Sequence, residues 1–92
     1  MIDAATRFRK TPRQVSCQIN DEIAILDMEK SLYFRLEGIA VDVWEALDQP
    51  CSVAELRDGI VARFDVTPDT CQADIVALLD QLQSQGLVEI AP

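Results

Sequence analysis

Apolar and polar positions alternate along the first third of the chain. Val15, Cys17 and Ile19 are separated by Ser16 and Gln18, the period-two signature of a half-buried strand. Asn20-Asp21 is turn chemistry. The run Ile23-Ala-Ile-Leu-Asp-Met28 is apolar on both faces, as a central strand would be. Glu29-Lys30-Ser31 supplies a second turn, and Leu32-Tyr-Phe-Arg-Leu36 a third strand. Loops this short join antiparallel neighbours. The pattern therefore predicts a three-stranded meander whose first and third strands are edges.

The period changes at Gly38. Ile39, Val43 and Leu47 recur at helical spacing, with Ala40 and Trp44 beside them, until Gln49-Pro50 ends the helix. Ser52-Val-Ala-Glu55 is a capping-box sequence opening a second helix that carries Val53, Leu56, Ile60, Val61 and Phe64. Asp65-Val66 reads as a linker. Thr67-Pro68 sets a capping residue before a proline at the first helical position. The third helix runs to about Gln85, with Gly86 beyond its end as a natural C′ residue. Leu87 to Ile90 adds a short strand or packs down. Helices one and two meet through a four-residue break, Asp48 to Cys51, which suits a helix-turn-helix corner. The predicted fold class is α+β: a winged helix-turn-helix-like domain, with an N-terminal three-stranded antiparallel sheet followed by three helices.

Composition narrows the class. At 49% apolar and 26% charged, 92 residues make one globular domain. Sixteen acidic against eight basic residues leave a net charge of −8. The bases cluster: residues 1–14 hold Asp3 against Arg7, Arg9, Lys10 and Arg13. Residues 1–13 thus read as a basic flexible arm whose removal should leave the fold intact, and residues 14–92 as the domain proper. Phosphate contacts supply most of the affinity for nucleic acid, so so acidic a domain argues against that partner. No apolar run approaches a membrane span, and no secretory signal is visible. Three free thiols fit a reducing cytoplasm.

Catalytic chemistry is hard to assemble. There is no histidine, so the commonest general base is missing. Cys17, Cys51 and Cys71 are odd in number, widely spaced and without a CxxC, which disfavours zinc and disulfides. Each reads as small apolar filler. Asp42, Glu45 and Asp48 share part of helix one, where a solvated face outweighs a cation site. No enzyme activity, cofactor or metal is expected.

Two features suggest binding instead. Cys71, Ile75, Leu78 and Leu82 form a stripe on helix three, widened by Val76 and Leu79. Most of that stripe must be core, yet its arc is broad for so small a chain, which leaves one edge for a partner. The second feature is the strand Leu32 to Leu36, an edge protected by a single charge. Such an edge accepts an added strand from a peptide.

The residues also carry a resemblance. Tyr33-Phe-Arg-Leu36, Gly38, Val43-Trp44-Glu-Ala-Leu47 and Ser52-Val-Ala-Glu-Leu56 are similar to the PqqD-like family, as are Phe64-Asp-Val-Thr-Pro68, Asp74-Ile75, Leu78-Leu79, Leu82 and Gly86-Leu87-Val88. This likeness spans about residues 14–90. The family comprises RiPP recognition elements, small winged-helix-like domains that bind leader peptides. The resemblance implies a peptide lying between the third strand and the third helix, touching Leu32, Tyr33, Phe34, Arg35, Leu36, Asp74, Ile75, Leu78, Leu79 and Leu82. Members serving pyrroloquinoline quinone synthesis usually carry a Pro-Glu-Arg-like segment ahead of the third strand. Here that place holds Asp27-Met-Glu-Lys-Ser31. The Trp44 and Gln49-Pro50 neighbourhood resembles stand-alone members from lasso-peptide clusters.

The expected function is a non-catalytic, cytoplasmic peptide chaperone. It binds a precursor's leader and presents it to a maturation enzyme, whether protease, cyclase or radical enzyme, with no nucleic acid or membrane involved. Two rivals remain at this level. One is a winged-helix DNA-binding regulator, although helix two offers only Arg57 and Arg63 against Glu55 and Asp58. The other is an enzyme's scaffolding subunit that binds no peptide.

Overall fold

In the computed structural model, residues 2–12 and 14–92 are described, Leu32 by its backbone alone. The elements run β1 (Arg7–Lys10), β2 (Gln14–Ile19), β3 (Glu22–Asp27), β4 (Leu32–Leu36), α1 (Ile39–Ala46), β5 (Cys51–Ser52), α2 (Val53–Arg63), α3 (Pro68–Ser84) and β6 (Val88–Ile90). The class is α+β, with antiparallel strands ahead of three helices. Strands β2–β3–β4 form the expected meander, with β3 in the centre. Asn20 turns the first hairpin at φ 57°, and Ser31 the second at φ 56°. Ahead of Ser31, the buried Asp27 carboxylate accepts the backbone N–H groups of Glu29 and Lys30 at 3.0 and 3.2 Å, so its side chain shapes the turn.

A second small sheet, ordered β5–β1–β6 and antiparallel throughout, corrects the reading of the N-terminus. Residues 7–10 are a strand and not part of a structureless arm. Phe8 is wholly buried and stands opposite Cys51 on one side and Ile90 on the other. The residues on either side continue the pairing: Thr6 O accepts from Val53 N at 3.1 Å, and Thr11 N donates to Leu87 O at 3.1 Å. The predicted corner between α1 and α2 is therefore partly a strand, and the segment after Gly86 is one as well. Met1 and Arg13 lie outside the described residues.

Local chemistry sets the helix ends. The Ser52 hydroxyl accepts Glu55 N–H at 3.1 Å while the Glu55 carboxylate accepts Ser52 N–H at 3.0 Å, completing the capping box. These bonds to the ionised carboxylate hold Glu55 below its ordinary pKa. At the end of α3, Gly86 sits at φ 77°. Gly86 N donates to Gln83 O and Leu87 N to Leu82 O, both at 3.0 Å. This is a Schellman closure with Leu82 and Leu87 both buried. One core joins the layers: Phe8, Ile25, Trp44, Val53, Ile75 and Leu79 belong to a single cluster.

Candidate peptide-binding site

Cross-strand register sorts the side chains of β2–β4 into two rows. Ile23, Ile25, Phe34 and Leu36 share the row that meets the core. On β2 the same row continues as Gln14, Ser16 and Gln18. The opposite row holds Val15, Cys17, Ile19, Ala24, Leu26 and Tyr33, with Glu22 and Arg35 among them.

This arrangement makes the two edges of the sheet unequal. Both β2 and β4 have one unpaired side. A strand added to β2 would lay its inward side chains beside Gln14, Ser16 and Gln18, a polar floor. A strand added to β4 would lay them beside Phe34 and Leu36, which pack on the core. On the core-facing side the second edge offers the half-buried Phe34 where the first offers polar side chains; on the outer side both edges carry apolar residues, Val15 and Ile19 on β2 and Tyr33 on β4.

Helix α3 borders the same region. The β3–β4 turn reaches its C-terminal end, where Lys30 Nζ lies 3.5 Å from the place a Cβ on Gly86 would occupy. Helical spacing puts Asp74 and Leu78 on one flank of α3, and Gln72 and Val76 on the other. The Gln72 flank faces α2, since Arg57 donates to Gln72 Oε1 at 2.7 Å. An open groove of about 570 Å³ runs along this second flank, lined by Ile2, Gln72, Ala73 and Val76 between Asp69 and Asp80. The Asp74–Leu78 flank points away from α2. Leu78, like Phe34, is half-buried at the perimeter of the core.

The chemistry of the remaining candidates is settled by their neighbours. Burial pushes the Cys51 and Cys71 thiols above their ordinary pKa, so both stay protonated at neutral pH. Cys71 is apolar filler as expected, whereas Cys17 is exposed on the outer row of the sheet. Asp42 and Glu45 lie on α1 and Asp48 in the turn beyond its end; Asp42 pairs with Arg63 at 3.0 Å and Asp48 with Lys10 at 2.5 Å. Among the described residues, no group of three or more His, Cys, Asp or Glu is placed to hold a metal ion. Nor is any helix among them long and apolar enough to cross a membrane.

Of the basic residues near the N-terminus, Arg7, Arg9 and Lys10 are tied into the fold. Arg7 donates to Pro50 O at 3.1 Å and lies 3.6 Å from Glu55. Arg9 pairs with Glu89 at 2.7 Å. Lys10 is shared between Asp48 and the face of Trp44.

The family model for coenzyme PQQ synthesis protein D (PqqD) matches residues 22–88, from β3 through the first residue of β6. The chain belongs to the PqqD family. No curated protein matches this PqqD-family chain. Two solved structures do. TbiB1 in complex with the TbiA(beta) leader peptide is similar at 27% identity and a TM-score of 0.83, over 88% of this chain and 94% of that one. Lasso peptide synthetase B1 complexed with the leader peptide is similar at 25% identity and a TM-score of 0.76, over 89% and 96%. The fold is that of a RiPP recognition element.

The residues singled out from the sequence fall into three groups in this PqqD-family fold. Tyr33, Arg35 and Asp74 are exposed, and Phe34 and Leu78 are half-buried. Leu36, Ile75, Leu79 and Leu82 are buried in the core and offer a ligand little or no free surface. The side chain of Leu32 lies outside the described residues. Arg35 donates to both oxygens of Glu22 across the outer face of the sheet. Sequence reading missed the outer row as a surface, although the two-faced apolar run of β3 was its signal.

Proposed function

We propose that this chain is a non-catalytic leader-peptide binder that presents a ribosomally made precursor to a maturation enzyme, in the manner of the lasso-peptide type. The observation that carries this reading is the inequality of the two sheet edges. Toward the core, strand β4 combines unpaired backbone groups with the half-buried Phe34, where β2 offers Gln14, Ser16 and Gln18. The similar structures hold leader peptides, which supports the same class of ligand. The leader would add as a fourth strand on β4 and turn its inward side chains toward Phe34 and the Asp74–Leu78 flank of α3.

Magnitudes show why the apolar row matters. Ordering a disordered residue costs about 1–2 kcal/mol of backbone entropy. A strand hydrogen bond returns only about 0.5–1.5 kcal/mol net. Buried apolar leader side chains, at roughly 1.5–3 kcal/mol each, supply the remainder. Once the leader is held, the core peptide is tethered at high effective concentration to any enzyme bound alongside. A DNA-binding role fits less well. In α2, Arg57 is engaged by Asp58 and Gln72, and Arg63 by Asp42.

Calorimetric titration with synthetic leaders of the short precursors encoded in the same genome tests the reading. A one-to-one complex with Kd near or below about 1 µM, some 8 kcal/mol, is expected for one of them. Failure of every leader to bind would contradict it.

A further inference from the structure

Strand β2 is an open edge without the usual protection. It pairs with β3 on one side and with no strand on the other. Edge strands are ordinarily blunted by charge, proline or a bulge, because their unpaired backbone groups template further pairing. The six residues Gln14–Ile19 include no charge and no proline, and they pair with β3 in unbroken register. By contrast β1 carries Arg7, Arg9 and Lys10, β3 carries Glu22 and Asp27, and β4 carries Arg35. On the outer face of β2, Val15 and Ile19 are each 53% exposed, with Cys17 exposed between them.

We infer that this edge pairs with β2 of a second copy of the chain, antiparallel about a two-fold axis at Cys17, joining two three-stranded sheets into one of six. The inference stands apart from leader binding, since both β4 edges stay open at the ends of the joined sheet.

The hairpin fixes which backbone groups face the open side. Asn20 and Asp21 form a two-residue hydrogen-bonded turn, so the flanking residues Ile19 and Glu22 are a hydrogen-bonded pair. Alternation along the ladder makes Cys17–Ala24 and Val15–Leu26 hydrogen-bonded pairs as well. It turns the N–H and C=O groups of Gln14, Ser16 and Gln18 to the open side. With the axis at Cys17, Ser16 meets the partner's Gln18 and exchanges both hydrogen bonds with it, and symmetry repeats the pair. On the outer face Val15 meets the partner's Ile19, and Cys17 its own counterpart, in close non-hydrogen-bonded pairs. Moving the axis to Ser16 leaves Ile19 without an apolar partner, and moving it to Gln18 does the same to Val15. The apolar row thus selects one register.

Side-chain chemistry favours a second copy over an unrelated strand. On its core-facing side this edge presents Gln14, Ser16 and Gln18, where an apolar strand would bury its side chains against amides. A second β2 brings the same polar row, so amides and hydroxyls meet groups that hydrogen-bond them. The chain carries −8, so two copies repel, and a charge-free strand is where they approach with least repulsion. The shared edge is only about 20 Å long, six residues at roughly 3.3 Å each. That is far short of a permanent interface, so the dimer is weak and concentration-dependent.

Sedimentation velocity of the full, reduced chain from about 5 µM to about 1 mM tests this, with a dimer Kd of about 10–100 µM expected. Ser16→Pro removes an N–H on the open side and spares the donors of the β2–β3 ladder, so it should weaken the dimer at least about tenfold in a folded chain. Cys17→Lys sets like charges opposite each other across the axis and should do the same, as should Cys17→Glu. An equimolar mixture of the two Cys17 variants should dimerise again, because Lys then meets Glu. Circular dichroism checks the fold of each variant, and the exposed Cys17 position keeps the test decisive should Ser16→Pro fail to fold. A chain that is monomeric throughout, a dimer indifferent to these substitutions, or a mixture that stays monomeric would each overturn the inference. Leader binding uses the opposite edge of the sheet, so the failure of either reading leaves the other standing.

Discussion

The ammonium of Lys10 stands 4.6 Å from the centroid of the Trp44 indole, tying β1 to α1. Lys10 also pairs with Asp48 one turn further along. Two residues away, Phe8 is wholly buried in the core. The N-terminal segment is therefore part of the folded unit. Removing residues 1–11 should abolish the cooperative unfolding transition or lower its midpoint steeply. Phe8→Ala alone should cost about 3–5 kcal/mol. Lys10→Ala should cost roughly 0.5–2 kcal/mol through the lost ring contact. Urea denaturation followed by circular dichroism measures all three. A truncated chain as stable as the parent would contradict the placement of β1.

Ser52 and Glu55 cap α2 reciprocally, so Ser52→Ala should destabilise the chain by about 1 kcal/mol. Glu55 titrates lower in the folded chain than in the unfolded one, because Ser52 bonds to its ionised form. Its stabilisation is thus complete above the ordinary carboxylate range, near pH 4.3, and is lost as pH falls through the lowered value. Glu55→Gln should remove that part of the acid limb. Melting temperatures of parent and variant from about pH 7 to about pH 3 should converge at the acid end.

Gly86 closes α3 at φ 77°, a conformation that an L side chain adopts only with strain. Gly86→Ala should cost about 1–2 kcal/mol. A Cβ there also meets Lys30 Nζ at 3.5 Å, an ordinary contact with the tip of a flexible chain, so backbone strain dominates. A stability change below about 0.3 kcal/mol in urea would contradict the Schellman closure.

The three cysteines should separate by reactivity. Cys17 is exposed, Cys51 half-buried and Cys71 buried. Burial raises the pKa of the latter two, which keeps them as thiols where only the thiolate reacts. Alkylation of the folded chain at neutral pH, followed by peptide mass mapping, should modify Cys17 first and Cys71 only after unfolding. Early modification of Cys71 would place α3 wrongly.

Most of this fold was legible in the sequence because its signals are local. The Ser52-Glu55 pair, Pro68 and Gly86 mark helix ends through contacts within a few residues. The meander declares itself through alternation and two short turns. Strand β1 was not legible. Arg-Phe-Arg-Lys shows one apolar residue among cations, and its partners, Cys51–Ser52 and Val88–Ile90, lie forty to eighty residues away. The site was legible only in part. Helical spacing groups Ile75, Leu79 and Leu82 with Leu78 on one stripe, but only packing decides which of them the core consumes. Likewise the apolar row under β4 and the polar row under β2 emerge only from cross-strand register.

The central claim is that the leader docks along β4, and residue-resolved amide hydrogen exchange of the labelled chain, with and without leader, tests it most directly. In a fourth-strand complex, alternate amides of Leu32–Leu36 that face solvent in the free chain become hydrogen-bonded. They should exchange at least about tenfold more slowly. The amides of β2 should keep their rates. Protection on β2 in place of β4, or leader binding that leaves the β4 amides unchanged, would contradict the account.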